Sequence, residues 1–171
     1  MEIKTCCFTG HRTLSDAERS ELVPLIDRYL FAIYEAGCRE FRTGGALGFD
    51  TLAAQRVLAL REKYPSCKLH LILPCQGQEN DWSLEKRVLY RKISERADRV
   101  TCLHDSYTKG CMYERNRALV DGCDVVIAYL KQEKGGTAYT CGYAEKHGVR
   151  VINLARRTEQ LSMFDSEDLI V

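Results

Sequence analysis

The chain has 171 residues, enough for one domain whose apolar core needs neither disulfides nor metal to stabilise it. Its 25 basic and 24 acidic residues give a formal net charge of +1, which argues against a strong sequence-independent hold on nucleic acid. The N-terminal residues lack the apolar stretch of a signal peptide, and no apolar run approaches a membrane span, so we expect a cytoplasmic protein without a membrane partner.

The chain begins with a predicted strand and then a long amphipathic helix. Ser15 and Glu18 have the spacing of a capping box at the start of that helix, and apolar residues recur at helical spacing through Ile33. Pro24 should start the main helix late or kink it, because proline lacks the N–H that an interior position donates. Gly37 is the predicted C-terminal stop.

Apolar runs with strand character alternate with helical segments along the whole chain. The third run is apolar enough to be buried on both faces of a sheet, and the fifth has the strongest strand signal. The predicted strands are 4–9, 39–42, 68–73, 99–104, 124–130 and 150–154, and the helices that follow the first one are 51–64, 84–97, 113–120 and 137–147.

This alternation, without repeats or linkers, predicts a parallel sheet covered by helices on both faces. We therefore predict a Rossmann-like, doubly wound three-layer α/β sandwich with a mainly parallel six-stranded sheet. Residues 1–171 should form a single domain with its core at about 4–155 and a C-terminal tail at 156–171. Right-handed crossovers and two βαβ halves predict the strand order 3-2-1-4-5-6, with ligands bound near the switch between strands 1 and 4.

Nine cysteines are many for this length, but their number is odd and no C-x-x-C pair occurs. Cys6, Cys7, Cys75 and Cys102 lie in or beside apolar runs, where cysteine behaves as a small apolar residue. Disulfide frameworks and zinc sites need a better spacing. We expect reduced, mostly buried thiols, with no metal and no cofactor.

The glycine-rich turn 43–50 lies between the second strand and the helix that follows it. Such a turn exposes backbone N–H groups at a helix N-terminus, where anions and above all phosphate bind. Asp50 is the predicted N-cap of the helix. The alternative is a tight turn without a ligand, because glycine also serves positions with positive φ.

Polar and glycine residues follow four of the predicted strands, whose carboxyl ends share one edge of the sheet. Two of these loops open helices with glycine, and two carry arginine, which grips phosphate bidentately. Taken singly, His11 could be structural, Arg115 and Arg117 could form an exposed helix face, and Trp82 could be a packing anchor or a stacking platform. The candidate ligand-binding residues are Thr9, Gly10, His11, Arg12, Gly44, Gly45, Ala46, Gly48, Asp50, Arg115, Asn116, Gly135, Gly136 and Thr137.

Two familiar phosphate motifs are absent from the sequence. No G-x-x-x-x-G-K-[ST] occurs, which argues against a P-loop NTPase, and residues 9–12 replace the G-x-G-x-x-G of a nicotinamide dehydrogenase. No G-x-S-x-G elbow is present either.

The turns resemble those of the YpsA-like branch of the SLOG superfamily, which joins the DNA-processing protein DprA (Smf) with the Lonely guy phosphoribohydrolases. Residues 9–12 and 44–50 carry the resemblance, and the latter are similar to the DprA signature that ends in Gly-Ile-Asp. Residues 115–117 resemble its Arg-Asn-Arg stretch, and 135–137 stand where that group has a second glycine-containing helix start. The match covers roughly residues 4–155.

The resemblance implies a domain that binds a nucleotide-derived ligand or, in some members, nucleic acid. Members with known chemistry cleave the base from a nucleoside monophosphate and share a Pro-Gly-Gly-x-Gly-Thr-x-x-Glu motif. Here the third residue after Thr137 is Thr140 instead of Glu, which disfavours hydrolysis because an oxocarbenium-like transition state needs a nearby negative charge. We therefore expect a sensor or regulatory domain; the alternatives are a nucleoside-monophosphate phosphoribohydrolase using Asp50 or Glu114, and DprA-like binding of single-stranded DNA.

The phosphate of the ligand is expected on the N–H groups of residues 45–48 and 136–137. Arg12 and Arg115 should supply positive charge, and Thr9 or Thr137 a hydroxyl.

Nucleic acid is not expected as the main partner, because a net charge near zero supplies little of the electrostatic attraction that such binding needs. A cluster of basic side chains could supply this attraction locally, since Arg87 and Arg91 share a predicted helix face. A homodimer is expected because superfamily members are often dimers, and the apolar end 169–171 could pack on a partner or on its own domain.

Overall fold

The structure is a computed structural model, and it describes residues 3–156. Six strands and five helices alternate along these residues, as predicted, and the predicted tail with its end 169–171 lies outside them. The elements are β1 (Thr5–Gly10), α1 (Asp16–Glu35), β2 (Glu40–Thr43), α2 (Phe49–Lys63), β3 (Lys68–Leu73), α3 (Leu84–Arg96), β4 (Arg99–Cys102), α4 (Cys111–Val120), β5 (Val125–Tyr129), α5 (Gly136–Lys146) and β6 (Arg150–Asn153).

The strands form one sheet in the order β4-β3-β2-β1-β5-β6, and every neighbouring pair is parallel. The predicted parallel, six-stranded α/β sheet is therefore confirmed. The predicted order 3-2-1-4-5-6 is wrong for the fourth strand, because β4 lies at the edge beside β3 and β5 takes the place next to β1. The switch point accordingly lies between β1 and β5.

The sequences of the two strands explain this order. Arg99, Val100 and Cys102 of β4 are exposed, as an edge strand tolerates, whereas all five residues of β5 are buried. A central strand of a parallel sheet is covered on both faces and must be apolar. In addition, α3 packs in the same apolar core as α1 and α2, so its crossover extends that half of the sheet by one more strand.

Two apolar cores cover the two faces of the sheet. Cys6 and Phe8 of β1 lie in the core shared with α1, α2 and α3, whereas Cys7 lies in the core shared with α4 and α5. This follows from the alternation of side chains along a strand. All nine cysteines are free thiols, and only Cys102 is exposed. Within residues 3–156, no helix combines the length and apolarity needed to cross a membrane.

Helix α1 has the predicted capping box: Glu18 N donates to Ser15 Oγ over 3.2 Å, and Ser15 N donates to the Glu18 carboxylate over 2.8 Å. The helix begins at Asp16 and continues through Pro24, so the predicted late start is wrong. Pro24 is exposed, and the cap together with the buried apolar face stabilises the helix despite one missing hydrogen bond.

The loop after β1 packs tightly against the start of α2. A Cβ added to Gly10 would lie 2.5 Å from the side chain of Phe49, which is fully buried. Gly142, in the middle of α5, would have no atom within 4 Å of an added Cβ.

We expect Gly10→Ala to lower the free energy of unfolding by about 1–3 kcal/mol, because it overpacks the core at Phe49. The matched control Gly142→Ala should leave that free energy unchanged or raise it by about 0.5–1 kcal/mol, because alanine favours a helix interior. Urea unfolding of the parent and both variants measures this. Equal effects of the two substitutions would contradict the described packing at Gly10.

Candidate functional site

A cleft of about 380 Å³ opens at the carboxyl edge of the sheet, above the ends of β1 and β5. We call it the first cleft. It is built from the loop after β1, the turn after β2, helix α4 and the loop that opens α5, the four segments whose convergence the sequence predicts. Candidate residues that line it are Thr9, Gly10, His11, Arg12, Ala46, Asp50, Arg115, Asn116, Gly135, Gly136 and Thr137.

Three candidate glycines do not line the first cleft, and each meets a neighbouring element instead. A Cβ on Gly44 would overlap the Arg115 guanidinium, and one on Gly48 would overlap backbone atoms of His11 and Arg12. Gly45 has a φ of +64° and would bring a Cβ to 2.8 Å from Leu73. These glycines are therefore required by the packing of the turn.

The prediction that Asp50 is the N-cap of α2 is wrong, because Gly48 occupies that position. The helix begins at Phe49, because Gly48 adopts a φ of 76° and Phe49 N donates to the carbonyl of His11 over 3.0 Å. Asp50 then lies in the first turn, and its Oδ2 accepts from the N–H groups of Gly44 (3.2 Å) and Ala46 (3.4 Å).

Three N–H groups of this turn, those of Gly44, Gly45 and Ala46, are thus occupied by the protein itself. Gly45 N donates to Thr43 Oγ1 over 3.3 Å, and the Asp50 carboxylate supplies the negative charge that the other N–H groups attract. The N–H groups of Gly45 and Ala46, two of those predicted to bind the phosphate at residues 45–48, are therefore already used within the protein.

Asp50 and Arg115 face each other in a nearly dry environment, each only 5% exposed. Burial raises the pKa of Asp50 from its ordinary 3.8 to about 6, against the opposing charge of Arg115 and the N–H groups of Ala46 and Gly44. Burial also lowers the pKa of Arg115, although the charge of Asp50 opposes this. In both groups, desolvation outweighs the mutual attraction.

Arg115 and Asn116 join three parts of the cleft wall. Arg115 Nη1 donates to the carbonyl of Gly44 over 2.6 Å, and its Nε donates to Asn116 Oδ1 over 2.9 Å. Asn116 Nδ2 donates in turn to the carbonyl of Gly136 over 3.4 Å. The turn after β2, helix α4 and the start of α5 are therefore held in one hydrogen-bonded chain.

The start of α5 differs from the start of every other helix within residues 3–156. It has neither a side-chain hydrogen bond to its N-terminus nor an acidic residue in its first turn, and Gly135 and Gly136 open it onto the first cleft. The exposed Arg12 and Lys134 lie beside it, and neither forms an ion pair with a described residue. This corner of the cleft can accept an anion.

His11 and Glu114 have structural partners. His11 Nε2 accepts a hydrogen bond from Lys131 N over 2.9 Å, and burial and the charge of Lys131 lower its pKa, so its neutral ring fastens the loop after β5. Glu114, a predicted catalytic candidate, does not line the first cleft; its Oε2 lies 2.6 Å from His104 Nε2. Asp50 is the one candidate carboxylate in the cleft wall.

Four lining residues were not predicted: Met112, Tyr113, Leu119 and Lys134. Lys134 immediately precedes the Gly135-Gly136 pair, and a cation beside a glycine helix start is a signal that could have identified it. The other three belong to α4, where sequence periodicity does not say which face meets a loop. Within residues 3–156, no three His, Cys, Asp or Glu side chains are grouped to hold a metal ion.

Residues 7–155 match the sequence model of YpsA, described as the YspA SLOG family. Similar proteins include the SPbeta prophage-derived protein YoqJ of Bacillus subtilis (strain 168), 27% identical over 73% of this chain and 82% of YoqJ. The UPF0398 protein YpsA of the same strain is 28% identical over 71% of this chain and 69% of its own length. A UPF0398 protein of Bacillus thuringiensis (strain Al Hakam) is 32% identical over 71% of this chain and 67% of its own length.

Two solved structures of DNA processing protein A share this fold. The protein from Helicobacter pylori, described for its single-stranded DNA binding mode, matches 88% of this chain with a TM-score of 0.62 and 20% identity. DprA from Streptococcus pneumoniae matches 87% with a TM-score of 0.61 and 18% identity. This chain spans 64% and 49% of those two chains, and the likeness concerns the fold alone.

The raised pKa of Asp50 predicts a pH-dependent contribution to stability. In the unfolded chain Asp50 ionises near 3.8, and in the folded chain near 6, so the folded state loses relative stability as the pH rises from about 4 to above 6. At neutral pH, ionisation of the buried carboxylate lowers the free energy of unfolding by on the order of 3 kcal/mol relative to its neutral form. Asp50→Asn, whose amide oxygen can still accept from Gly44 and Ala46, should remove this pH dependence, and it also removes the negative charge that faces Arg115.

We therefore expect the stability of Asp50→Asn, relative to the parent, to rise between pH 4 and pH 7. Urea unfolding at several pH values measures this difference, in which titrations of all other groups cancel. A difference that stays constant, or falls, over that range would mean that burial does not raise this pKa.

Proposed function

The chain belongs to the YspA SLOG family, and we propose that it binds a phosphorylated, nucleotide-derived small molecule in the first cleft, as a sensor or regulatory domain. The observation that carries this proposal is the start of α5, which faces the cleft without a side-chain cap or an acidic residue. The N–H groups of a first helical turn and the helix dipole attract phosphate when no protein carboxylate occupies the position.

The charges of the cleft support a phosphate at this corner. Asp50 is compensated by Arg115 and by the N–H groups of Gly44 and Ala46. Arg12 and Lys134 then remain as cations that form no ion pair with a described residue, and the charge of Arg12 acts on Asp50 only as the weakest of its favourable influences. Two cations beside a helix N-terminus suit a phosphate monoester, which carries between one and two negative charges at neutral pH.

Hydroxyl groups complete the environment. Thr9 and Thr137 are mostly buried side chains in the cleft wall, and neither hydroxyl forms a hydrogen bond with another residue in the described range. Each can donate to a phosphate oxygen while the N–H groups of residues 136 and 137 bind another oxygen. In this proposal the phosphate therefore lies at the α5 end of the cleft, and the turn 43–50 serves as its rear wall.

The nucleoside-monophosphate phosphoribohydrolase remains an alternative because Asp50 is a cleft carboxylate with a pKa near neutrality. Two observations weigh against it. Asp50 Oδ2 is already occupied by two N–H groups, and Thr140, at the position where the hydrolases have Glu, donates its hydroxyl to the carbonyl of Gly136 over 2.8 Å. Thr140 carries no charge, and the charge of Asp50 is already shared with these donors and with Arg115, so neither residue supplies the unshared carboxylate that an oxocarbenium-like transition state needs.

Binding of single-stranded DNA is a second alternative, since it is reported for the H. pylori protein with the same fold. This chain spans only 64% of that protein, and its net charge of +1 supplies little attraction for a polyanion. We therefore retain the small-molecule ligand as the proposal.

The phosphate position can be tested with two substitutions at one residue. A Cβ on Gly136 would lie 3.5 Å from Asn116 Nδ2, an ordinary contact, so both Gly136→Ala and Gly136→Asp should fold. The aspartate places a negative charge in the first turn of α5, where it stabilises the helix dipole and competes with phosphate. We expect Gly136→Asp to lower the affinity for ribose 5-phosphate and nucleoside monophosphates at least tenfold without lowering the melting temperature below that of Gly136→Ala.

Calorimetry measures the affinities, and a ligand at a hundred times its Kd should stabilise the parent by roughly 2.7 kcal/mol.

Arg12→Ala should weaken binding roughly tenfold, as expected for loss of one charge-assisted hydrogen bond, whereas Arg91→Ala, at an exposed position on α3, should not weaken it. If no phosphorylated compound binds, or if Gly136→Asp binds as well as Gly136→Ala, the proposed site is wrong.

The alternatives predict different outcomes with the same protein. We expect no release of free base from nucleoside monophosphates and no micromolar binding of labelled single-stranded oligonucleotides at physiological salt. Steady base release that Asp50→Asn abolishes would favour the hydrolase. Micromolar oligonucleotide binding that weakens steeply with added salt and in Arg91→Ala would favour the DNA-binding alternative.

A further inference from the structure

A larger cleft, of about 860 Å³, lies beside the first one at the same edge of the sheet. We call it the second cleft. It is built from the loop 75–82 after β3 and the loop 105–107 after β4. Arg12 and Met112 line both clefts, so the two are neighbouring compartments of one groove.

The second cleft contains aromatic side chains at its wall. The Trp82 ring packs edge-on against Tyr90, with the ring centroids 5.4 Å apart and the planes at 80°, which fixes the orientation of the indole. Tyr107 is 68% exposed, although a large aromatic side chain gains free energy by burial. Trp82, which is partly exposed, and Tyr107 thus line the same cleft, and each offers a ring face on which a planar base can stack.

Side chains that can accept hydrogen bonds line the same cleft as these rings. Asp81 and Asp105 line the second cleft, and neither carboxylate forms an ion pair within the described part of the chain. The side chains of Gln76 and Asn80 likewise form no hydrogen bond with a described residue. Carboxylates only accept hydrogen bonds and amides can accept them, so this wall is suited to O–H and N–H donors.

We propose that the second cleft binds the nucleoside half of the ligand, with the base stacked on Trp82 and Tyr107. The ribose hydroxyls and base N–H groups would donate to Asp81 and Asp105. This inference rests on the proposed function, because it requires the phosphate of the same molecule at the start of α5. Arg12, which lines both clefts, lies where the phosphate meets the sugar.

The distribution of charge determines the orientation of the ligand. The first cleft is lined by Arg12 and Lys134 and by Arg115, whose charge compensates that of Asp50, whereas Arg12 is the one cation that lines the second cleft, together with two carboxylates. A phosphate in the second cleft would be repelled by Asp81 and Asp105.

Trp82 is the single tryptophan of the chain, so its fluorescence reports on the second cleft without labelling. The probes are ribose 5-phosphate, which lacks a base, and AMP, GMP, CMP and UMP. We expect at least one monophosphate to bind at least tenfold more tightly than ribose 5-phosphate and to quench the fluorescence of Trp82. Ribose 5-phosphate should bind without quenching.

Tyr107→Ala should weaken the binding of that monophosphate roughly tenfold and leave ribose 5-phosphate unchanged, because one stacked aromatic ring is lost. Tyr107→Phe, which keeps the ring, is the matched control and should retain the affinity. The exposure of Tyr107 means that neither change disturbs the core.

The outcomes separate this inference from the proposed function. If ribose 5-phosphate binds but no monophosphate binds more tightly or quenches Trp82, the second cleft does not take the base and this inference is wrong. Loss of ribose 5-phosphate affinity in Tyr107→Ala would also overturn it, because the phosphate would then depend on the second cleft. If ribose 5-phosphate and all four monophosphates fail to bind, the proposed function and this inference fail together.

Discussion

The buried guanidinium of Arg115 is the constraint on which the rest of the site depends. It donates to the carbonyl of Gly44 over 2.6 Å, lies opposite the buried Asp50, and connects through Asn116 to the carbonyl of Gly136. A buried charge that loses its partner costs about 3–5 kcal/mol, so these groups must be present together. Gly44 has to lack a side chain because any Cβ there would overlap the guanidinium.

This arrangement gives opposite roles to two glycine turns that look alike in the sequence. The turn before α2 is followed by Asp50, which occupies the N–H groups of Gly44 and Ala46. The pair Gly135-Gly136 is followed by threonine, alanine and tyrosine, and no acidic residue lies in the first turn of α5. One helix N-terminus is therefore neutralised by the protein, and the other has no acidic residue or side-chain cap, which is why the proposal places the anion there. The residue type that follows the glycines distinguishes the two.

The alternation of strands and helices was sufficient to predict the parallel sheet, and the common edge of parallel strand ends was sufficient to bring most candidate residues into one cleft. The strand order was not predictable from alternation, although the polar residues Arg99 and Thr101 mark β4 as an edge strand. The role of Asp50 depends on a tertiary hydrogen bond between Phe49 and His11, which sequence periodicity does not contain. Burial of Arg115 was missed for a similar reason, since charged residues on a helix are normally exposed.

A net charge near zero describes the whole chain, but the charges are unevenly distributed along the edge of the sheet that carries the two clefts. Lys134 and the mutually compensating Asp50 and Arg115 line the first cleft, Asp81 and Asp105 line the second, and Arg12 lines both. A DNA strand presents a phosphate at every nucleotide and would bring some of them against the two carboxylates. A ligand with one anionic end and one uncharged aromatic end meets attraction at both. The proposal of a single nucleotide instead of a strand therefore depends on the sign of the charge along the groove more than on its sum.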